Sequence, residues 1–312
     1  MDLVPRFEEL SRQAAAFTDA SHAPNTRRAY ESDWRHFSQW CREAGFGDYP
    51  AAPETVGLYL THLAAECRVS TVTRRLAAIG QVHRAAGGES PAEHSVVRNL
   101  MRGIRRTLGT SPAMKRPLLV DDVKAMAMTA PATLPGLRDR ALLLLGFAGG
   151  FRRSELVALE IADLEENREG MVIRIRRSKT DQEGEGRKVG IPRGKEEATC
   201  PVYAVRHWTG QAQLDQGPLF RPVNRQGVVL PRRLSGEAVA LIVKRYAKKL
   251  GYDANLFAGH SLRAGLATSA AMAGKSERVI MNQTGHRSVA MVRRYVRDGN
   301  LFRDNAAEGL GL

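Results

Sequence analysis

The chain has 312 residues, 43% hydrophobic and 26% charged, an ordinary globular composition that excludes a collagen-like, largely disordered or disulfide-stapled protein. Lys and Arg number 47 against 33 Asp and Glu, a net charge of +14, which points to a polyanionic partner, nucleic acid before others. The uncharged stretch at the apolar peak, Ala141 to Phe151, falls far short of the ~20 residues of a bilayer span, so no membrane partner is expected.

The length suggests two domains. Residues 1–66 carry six basic and ten acidic side chains, residues 67–112 eight and two, and residues 113–312 thirty-three and twenty-one. The positive charge therefore begins near residue 67. It is mostly arginine, whose planar fork fits a phosphate with two hydrogen bonds. Asp2, Glu8 and Glu9 stand near the start with no apolar run behind a basic segment, so no secretory signal is expected. Cys41, Cys67 and Cys200 are scattered, odd in number and without metal-site spacing, which suits reduced thiols in a cytoplasmic compartment.

The predicted elements run as follows. Tyr30, Trp34, Phe37, Trp40 and Cys41 mark one face of a helix over Thr26 to Glu43, with Asn25 as N-cap. Pro53 opens a second helix carrying Val56, Leu60 and Leu63. Ser70 caps a third, with Val72, Leu76, Ile79 and His83 inward, and Gly87-Gly88 ends it. A fourth helix spans about Pro91 to Leu108. Residues 109–117, with two prolines and no apolar period, form a linker between a helical domain (1–108) and a second domain (118–312).

In the second domain, Asp121 caps a helix to about Met128. A helix from Leu137 is apolar almost all round and should be central. Met171 to Arg177 alternates as a strand, and Lys188 to Ile191 returns to it across a turn-rich loop, a β-hairpin. Helices follow at about 200–213, 236–250, 261–273, 277–283 and 288–297, with Gly251, Gly274 and Gly285 as stops. The fold class is therefore mainly α: a helical N-terminal domain, then a mostly α domain with a small antiparallel sheet.

Four segments carry groups suited to a phosphate. In Gly150-Phe-Arg-Arg-Ser-Glu-Leu156, a Gly-Gly break sets Arg152 at a helix start, where anions are favoured, and Glu155 can orient a neighbouring cation. Arg177-Ser-Lys179-Thr puts a lysine at the hairpin tip. Gly259-His-Ser-Leu-Arg-Ala-Gly265 sets His260 and Arg263 three apart on one helix face. Thr284-Gly-His-Arg-Ser288 is followed by Tyr295, nine residues after His286. Singly, each has a plain explanation: a salt-bridged arginine, an exposed lysine, a helix cap, a core tyrosine. Together, in that order and beside that charge profile, they form a specific constellation.

That constellation resembles the tyrosine recombinase (phage integrase) family over nearly the whole chain, most strongly in residues 140–190 and 258–298. By that resemblance Arg152 is the first arginine, Glu155 the accompanying acid, Lys179 the hairpin lysine, His260 and Arg263 the H-x-x-R box, His286 the His/Trp position and Tyr295 the nucleophile. Arg153 stands where the family usually has an apolar or small residue. The implied function is site-specific recombination of double-stranded DNA through a 3′-phosphotyrosine intermediate.

The residue types suit that chemistry. A phosphodiester is already anionic, so Arg152 and Arg263 must neutralise it before a phenolate can attack. His260 and His286 add hydrogen bonds, and one takes the proton of a tyrosine whose free pKa is near 10. Lys179 is the candidate general acid for the leaving 5′-oxygen. The bond energy stays in the covalent link, so neither ATP nor metal is expected, and the sequence has no phosphate loop or acidic cluster for two-metal catalysis. No cofactor is expected.

The resemblance further implies that the helical domain binds the core site and that both domains clamp DNA. Arg68, Arg74, Arg75, Arg102, Arg105 and Arg106 are the candidate contacts, each equally readable as solvated helix surface. It also implies that the tail, residues 298–312, docks into a neighbouring protomer to build a homotetramer on two duplexes. No separate arm-binding domain is expected before residue 20. Two alternatives remain: a type IB topoisomerase-like strand transferase, and a non-catalytic DNA-binding or architectural protein.

Overall fold

Trp34, Phe37, Trp40 and Cys41 lie on one stripe of the long helix α1 (Pro24–Ala44), and that stripe faces the core of an N-terminal helical unit. The structure, a computed structural model, describes residues 24–110, 115–176 and 186–299. Its contacts divide the chain into two compact units, Met1–Ala113 and Met114–Leu312. Among the described residues no helix is long and apolar enough to cross a membrane.

In the first unit α1 is followed by α2 (Pro53–Glu66), α3 (Val69–Ala85), a 3-10 turn (Pro91–Glu93) and α4 (Ser95–Leu108). Phe37, Val56, Tyr59, Leu60, Leu63, Val72, Ile79, Val97 and Met101 fill the space between them. Phe37 and Tyr59 meet edge to face with ring centres 5.0 Å apart, the arrangement aromatic quadrupoles favour. His83, on the inward face of α3, is a structural tie. Its Nε2 accepts the Ala51 N–H at 2.9 Å, so Nδ1 carries the proton and donates to the Ile79 carbonyl at 2.8 Å.

The start positions shift from those expected. Asn25 lies inside α1 and its side-chain oxygen accepts from the Arg28 guanidinium instead of capping. Ser70 sits within α3, whose N-cap is Arg68. The fourth helix begins at Ser95, because the stretch from Pro91 forms a separate 3-10 turn ending at His94.

The second unit opens with α5 (Val120–Met128). Its first turn is held by Asp122, whose carboxylate accepts the Leu119 N–H at 2.9 Å; the expected cap, Asp121, is inside the helix. The central helix α6 (Leu134–Ala148) is buried on nearly every side from Gly136 to Gly146, as its all-round apolarity requires. It begins three residues earlier than expected, with Pro135 in the first turn, where a proline loses no hydrogen bond. Within it the buried Asp139 receives Arg138 at 2.7 Å, Arg245 at 3.2 Å and the Tyr246 hydroxyl at 3.3 Å.

After the short α7 (Arg153–Ala158) comes an antiparallel sheet of β1 (Leu164–Glu166), β2 (Gly170–Ile175) and β3 (Arg187–Pro192), in that order. Met171, Ile173 and Ile175 on β2 and Val189 and Ile191 on β3 face the core, with Ile173 opposite Val189 and Met171 opposite Ile191. The alternation expected of the hairpin holds, and β1 extends it to three strands. Three residues reading Leu-Glu-Glu are too few to show a two-residue period. The sheet is followed by α8 (Pro201–Gln211), α9 (Gly236–Lys249), α10 (His260–Met272), α11 (Glu277–Thr284) and α12 (Val289–Gly299). A small satellite cluster of Ala264, Ala267, Ala271, Ile280, Val292 and Tyr295 joins the last three.

Lys115 and Arg116, within the expected linker, are held to the second unit: Lys115 Nζ donates to the Asn255 carbonyl at 2.5 Å and the Arg116 N–H to that of Leu256 at 2.8 Å. Residues 111–114, the hairpin loop with Lys179, and the tail from residue 300 lie outside the described residues.

Candidate active site

The site grows from two helix starts and one helix end. At the close of α6 the backbone turns through Gly149 and Gly150, and the buried Phe151 anchors the turn in the core. Arg152 becomes the N-cap of α7. Glu155, one turn on and 2% exposed, accepts the Arg152 N–H at 3.0 Å through one oxygen and the guanidinium Nη1 at 2.6 Å through the other. The same carboxylate therefore caps the helix and fixes the arginine. The other Arg152 nitrogen, Nη2, donates to the Gly285 carbonyl at 3.1 Å.

Arg263, in the first turn of α10, is 1% exposed. Its Nη1 donates to the Gly150 carbonyl at 2.7 Å and to that of Thr284. Its Nη2 is buried and has no hydrogen-bond partner. Burial, then the nearby Arg152 charge, lowers its pKa to about 10, so it stays charged at neutral pH. A buried guanidinium with an open donor is costly unless an anion completes it.

The helix end is that of α11. Gly285 takes the left-handed conformation at φ +67° and stops the helix, so its last carbonyls are free to accept from cations. His286 follows. Thr284 Oγ1 donates to the Ile280 carbonyl at 2.6 Å, so it accepts from His286 Nδ1 at 2.7 Å. That assigns the proton to Nδ1 and leaves Nε2 an acceptor. Burial, then the charges of Arg263 and Arg152, lower the His286 pKa to about 3, and the ring is neutral.

Tyr295, on α12, is 3% exposed. Its ring belongs to the satellite cluster and lies 5.8 Å from that of His286. Its hydroxyl is 3.0 Å from Nε2 of His260, the first residue of α10. The residue is thus both a core aromatic and a site residue. His260 is exposed in area yet crowded: desolvation, then the charges of Arg263, Arg152 and Arg153, lower its pKa. His260 and Arg263 share a helix face but not an environment, one at the surface and the other sealed beneath it.

A further cation belongs to this cluster. Arg187 donates to the Gln283 carbonyl at 3.0 Å and, more weakly, to Glu155 and the Thr284 carbonyl at 3.4 Å each. Burial lowers its pKa. The sequence reading passed over it, although a signal exists. Arg187 has the same strand parity as Val189 and Ile191, both inward, so it is a charge at an inward position. Lys179 lies outside the described residues.

In the N-terminal unit Arg68, Arg102, Arg105 and Arg106 are exposed, and Arg68 and Arg105 line one groove where α2 and α4 end and α3 begins. Arg74 and Arg75 face the buried Asp33 instead, at 2.6 and 3.7 Å. Arg74 remains 44% exposed at its side chain and Arg75 only 16%. Arg75 also lies 3.1 Å from His36 Nε2, and His36 Nδ1 is 2.9 Å from the Tyr59 hydroxyl. Arg75 is thus committed to an internal network. Among the described residues no group of His, Cys, Asp and Glu is arranged to hold a metal.

The chain matches the family model described as the phage integrase family over residues 117–300. It is 44% identical over 303 residues to an integrase/recombinase XerD homolog of Selenomonas ruminantium, covering 96% of this chain and 89% of that protein. To the recombinase Cre of Escherichia phage P1 it is 26% identical over 311 residues, with 93% and 87% covered. In fold it is similar to a lambda integrase dimer bound to a COC′ core site, with a TM-score of 0.61, 16% identity and 93% and 76% of the two chains covered. It is likewise similar to the XerH site-specific recombinase bound to a palindromic difH substrate in a post-cleavage complex, with a TM-score of 0.58, 17% identity and 80% and 70% covered.

Proposed function

Since the chain belongs to the phage integrase family of tyrosine recombinases, we propose that it cleaves and rejoins double-stranded DNA at a specific site through a phosphotyrosine formed on Tyr295. The observation that carries this reading is the Tyr295 hydroxyl at 3.0 Å from His260, beside the buried Arg263 with an unpartnered donor.

In this reading the scissile phosphate sits against Arg152 and Arg263, which draw charge off its non-bridging oxygens as the pentacoordinate transition state forms. Tyr295 Oη attacks phosphorus while its proton passes to His260 Nε2. His260 suits the role because its depressed pKa keeps it neutral and able to accept. The bond from phosphorus to the 5′-oxygen breaks, and Lys179 supplies the proton that oxygen needs. The products are a 3′-phosphotyrosine and a 5′-hydroxyl. Rejoining reverses these steps with a 5′-hydroxyl from the second duplex, which completes strand exchange without ATP or cofactor.

His286, with Nδ1 given to Thr284, serves by packing beside Tyr295 rather than by donating to phosphate. Glu155 holds Arg152 in place. The helical N-terminal domain, residues 1–108, binds the core site through Arg68, Arg74, Arg102, Arg105 and Arg106. The working assembly is a homotetramer on two duplexes, joined through the tail 298–312, and it acts in the cytoplasm on the nucleoid. The recombinases solved on DNA to which the fold is similar support the DNA partner.

The test is incubation with nicked suicide duplexes drawn from the genomic neighbourhood. A covalent adduct resistant to SDS is expected, insensitive to EDTA and absent in Tyr295→Phe. An adduct that persists in Tyr295→Phe rules out the nucleophile. Relaxation of any supercoiled plasmid without sequence preference points instead to a topoisomerase-like activity.

A further inference from the structure

Arg153 opens α7 directly after Arg152. The Arg152 guanidinium is oriented by Glu155 and the Gly285 carbonyl. Arg153 is exposed, and among the described residues its guanidinium makes no hydrogen bond or ion pair. Its stem is nevertheless fixed. A Cβ built on Gly259 would stand 2.4 Å from both Cγ and Cδ of Arg153 and 3.3 Å from Val239 Cγ1. Gly259 has right-handed backbone angles, φ −57° and ψ −21°, which any residue adopts. Its missing side chain therefore answers to the arginine lying across it. On the other flank, a Cβ on Gly236 would meet Arg153 Cβ at 4.0 Å. The stem is seated between the first turns of α9 and α10, and the residue after Gly259 is His260.

A cation packed next to Arg152 and near enough to His260 to lower its pKa, with no counter-charge among the described residues, is left for an incoming anion to neutralise. The scissile phosphate already has two arginines. A DNA strand presents another phosphate about every 3.4 Å along the duplex axis, so a neighbouring one lies within reach of a long side chain anchored at this rim. Resting on the reading of the site given above, we propose that Arg153 is an additional DNA-binding residue, its guanidinium taking the non-bridging oxygens of a backbone phosphate adjacent to the scissile one.

The experiment measures binding of the full-length protein to a nicked duplex across salt concentrations, for wild type, Arg153→Ile and Arg153→Lys. Each phosphate flanking the cleavage point is replaced in turn by an uncharged methylphosphonate. Arg153→Ile should lower the slope of log affinity against log salt by about one, and Arg153→Lys should keep it. One methylphosphonate position should weaken wild type but leave Arg153→Ile unaffected. An unchanged slope in Arg153→Ile, or a penalty shared equally by both proteins at every position, overturns the proposal. The covalent adduct is scored in the same samples. If wild type forms none while the slope still depends on Arg153, the reading of the site fails and the phosphate contact stands.

Discussion

The Tyr295 hydroxyl and His260 Nε2 stand 3.0 Å apart across the faces of two helices, 35 residues apart in the chain. The pairing joins residues of one chain, the two proposed above as base and nucleophile. His260→Ala should slow cleavage by about a hundredfold to ten-thousandfold, the usual worth of a positioned base, and leave DNA affinity unchanged. Because desolvation and the arginines lower the His260 pKa, any fall in the wild-type rate with pH should be centred below 6.5, the value of a free imidazole. Single-turnover cleavage between pH 5 and 8 checks both. A fall centred on 6.5 rules out the depressed base.

Arg263→Lys keeps the charge and loses the fork. A lysine cannot reach the Gly150 and Thr284 carbonyls while leaving a second planar donor open. Cleavage should drop about a hundredfold or more, measured as adduct formed per unit time at saturating DNA. Near wild-type rates would remove the open Nη2 from the mechanism.

Packing by the His286 ring and hydrogen bonding by its Nε2 can be told apart. If its ring packs beside Tyr295, His286→Trp should retain most cleavage and His286→Ala should lose it. If the acceptor at Nε2 matters instead, both variants fail alike. Its folded pKa of about 3 lies below the ordinary 6.5, so the unfolded chain binds the extra proton between those values. Stability is then fully present above pH 6.5 and declines as pH falls toward 3, by at most about 1.4 kcal/mol per pH unit from this residue. Urea midpoints from pH 7 to 4 should show a shallower decline in His286→Trp.

Lys179→Ala should slow cleavage of ordinary DNA and recover on a 5′-bridging phosphorothiolate, whose sulfur leaves without a proton. Lack of recovery excludes Lys179 as the acid.

In the N-terminal unit, Arg75 and Arg102 should separate. Arg75→Leu leaves the buried Asp33 carboxylate, whose pKa burial already raises, with only the half-exposed Arg74. A loss of about 2 kcal/mol in unfolding free energy is expected, below the cost of breaking a fully buried pair because both arginines touch solvent. Arg102→Ala should leave stability unchanged and reduce the salt slope of DNA binding by about one.

How much of this was legible in the sequence depends on how local each feature is. The inward stripes of α1, α3 and α6 follow from spacing alone. The boxes around Arg152, His260 and His286 are short, and their helix starts and the Gly285 stop carry local signals. The grip of Arg152 on the Gly285 carbonyl spans 133 residues, and no periodicity encodes it. Arg187 was readable only through strand parity. Asp33 was hidden because a carboxylate on an amphipathic helix looks solvated until the arginines of a different helix meet it. The helix starts differ by a few residues because capping side chains do not set them all: α3 begins after Arg68 with no side-chain cap, and at α5 it is Asp122, inside the helix, that accepts the Leu119 N–H.

The carbonyls of Gln283, Thr284 and Gly285 are held by Arg187, Arg263 and Arg152. The side chains of the segment are held as well: Gln283 Nε2 donates to the Ala148 carbonyl at 2.8 Å and to that of Gly190 at 3.1 Å, and Thr284 Oγ1 joins the Ile280 carbonyl to His286. Position 285 needs a left-handed turn, and a Cβ there would stand 2.8 Å from Arg187 Nε. A saturation library across the three positions should therefore tolerate few replacements at any of them, 285 for its turn and 283 and 284 for what their side chains tie together.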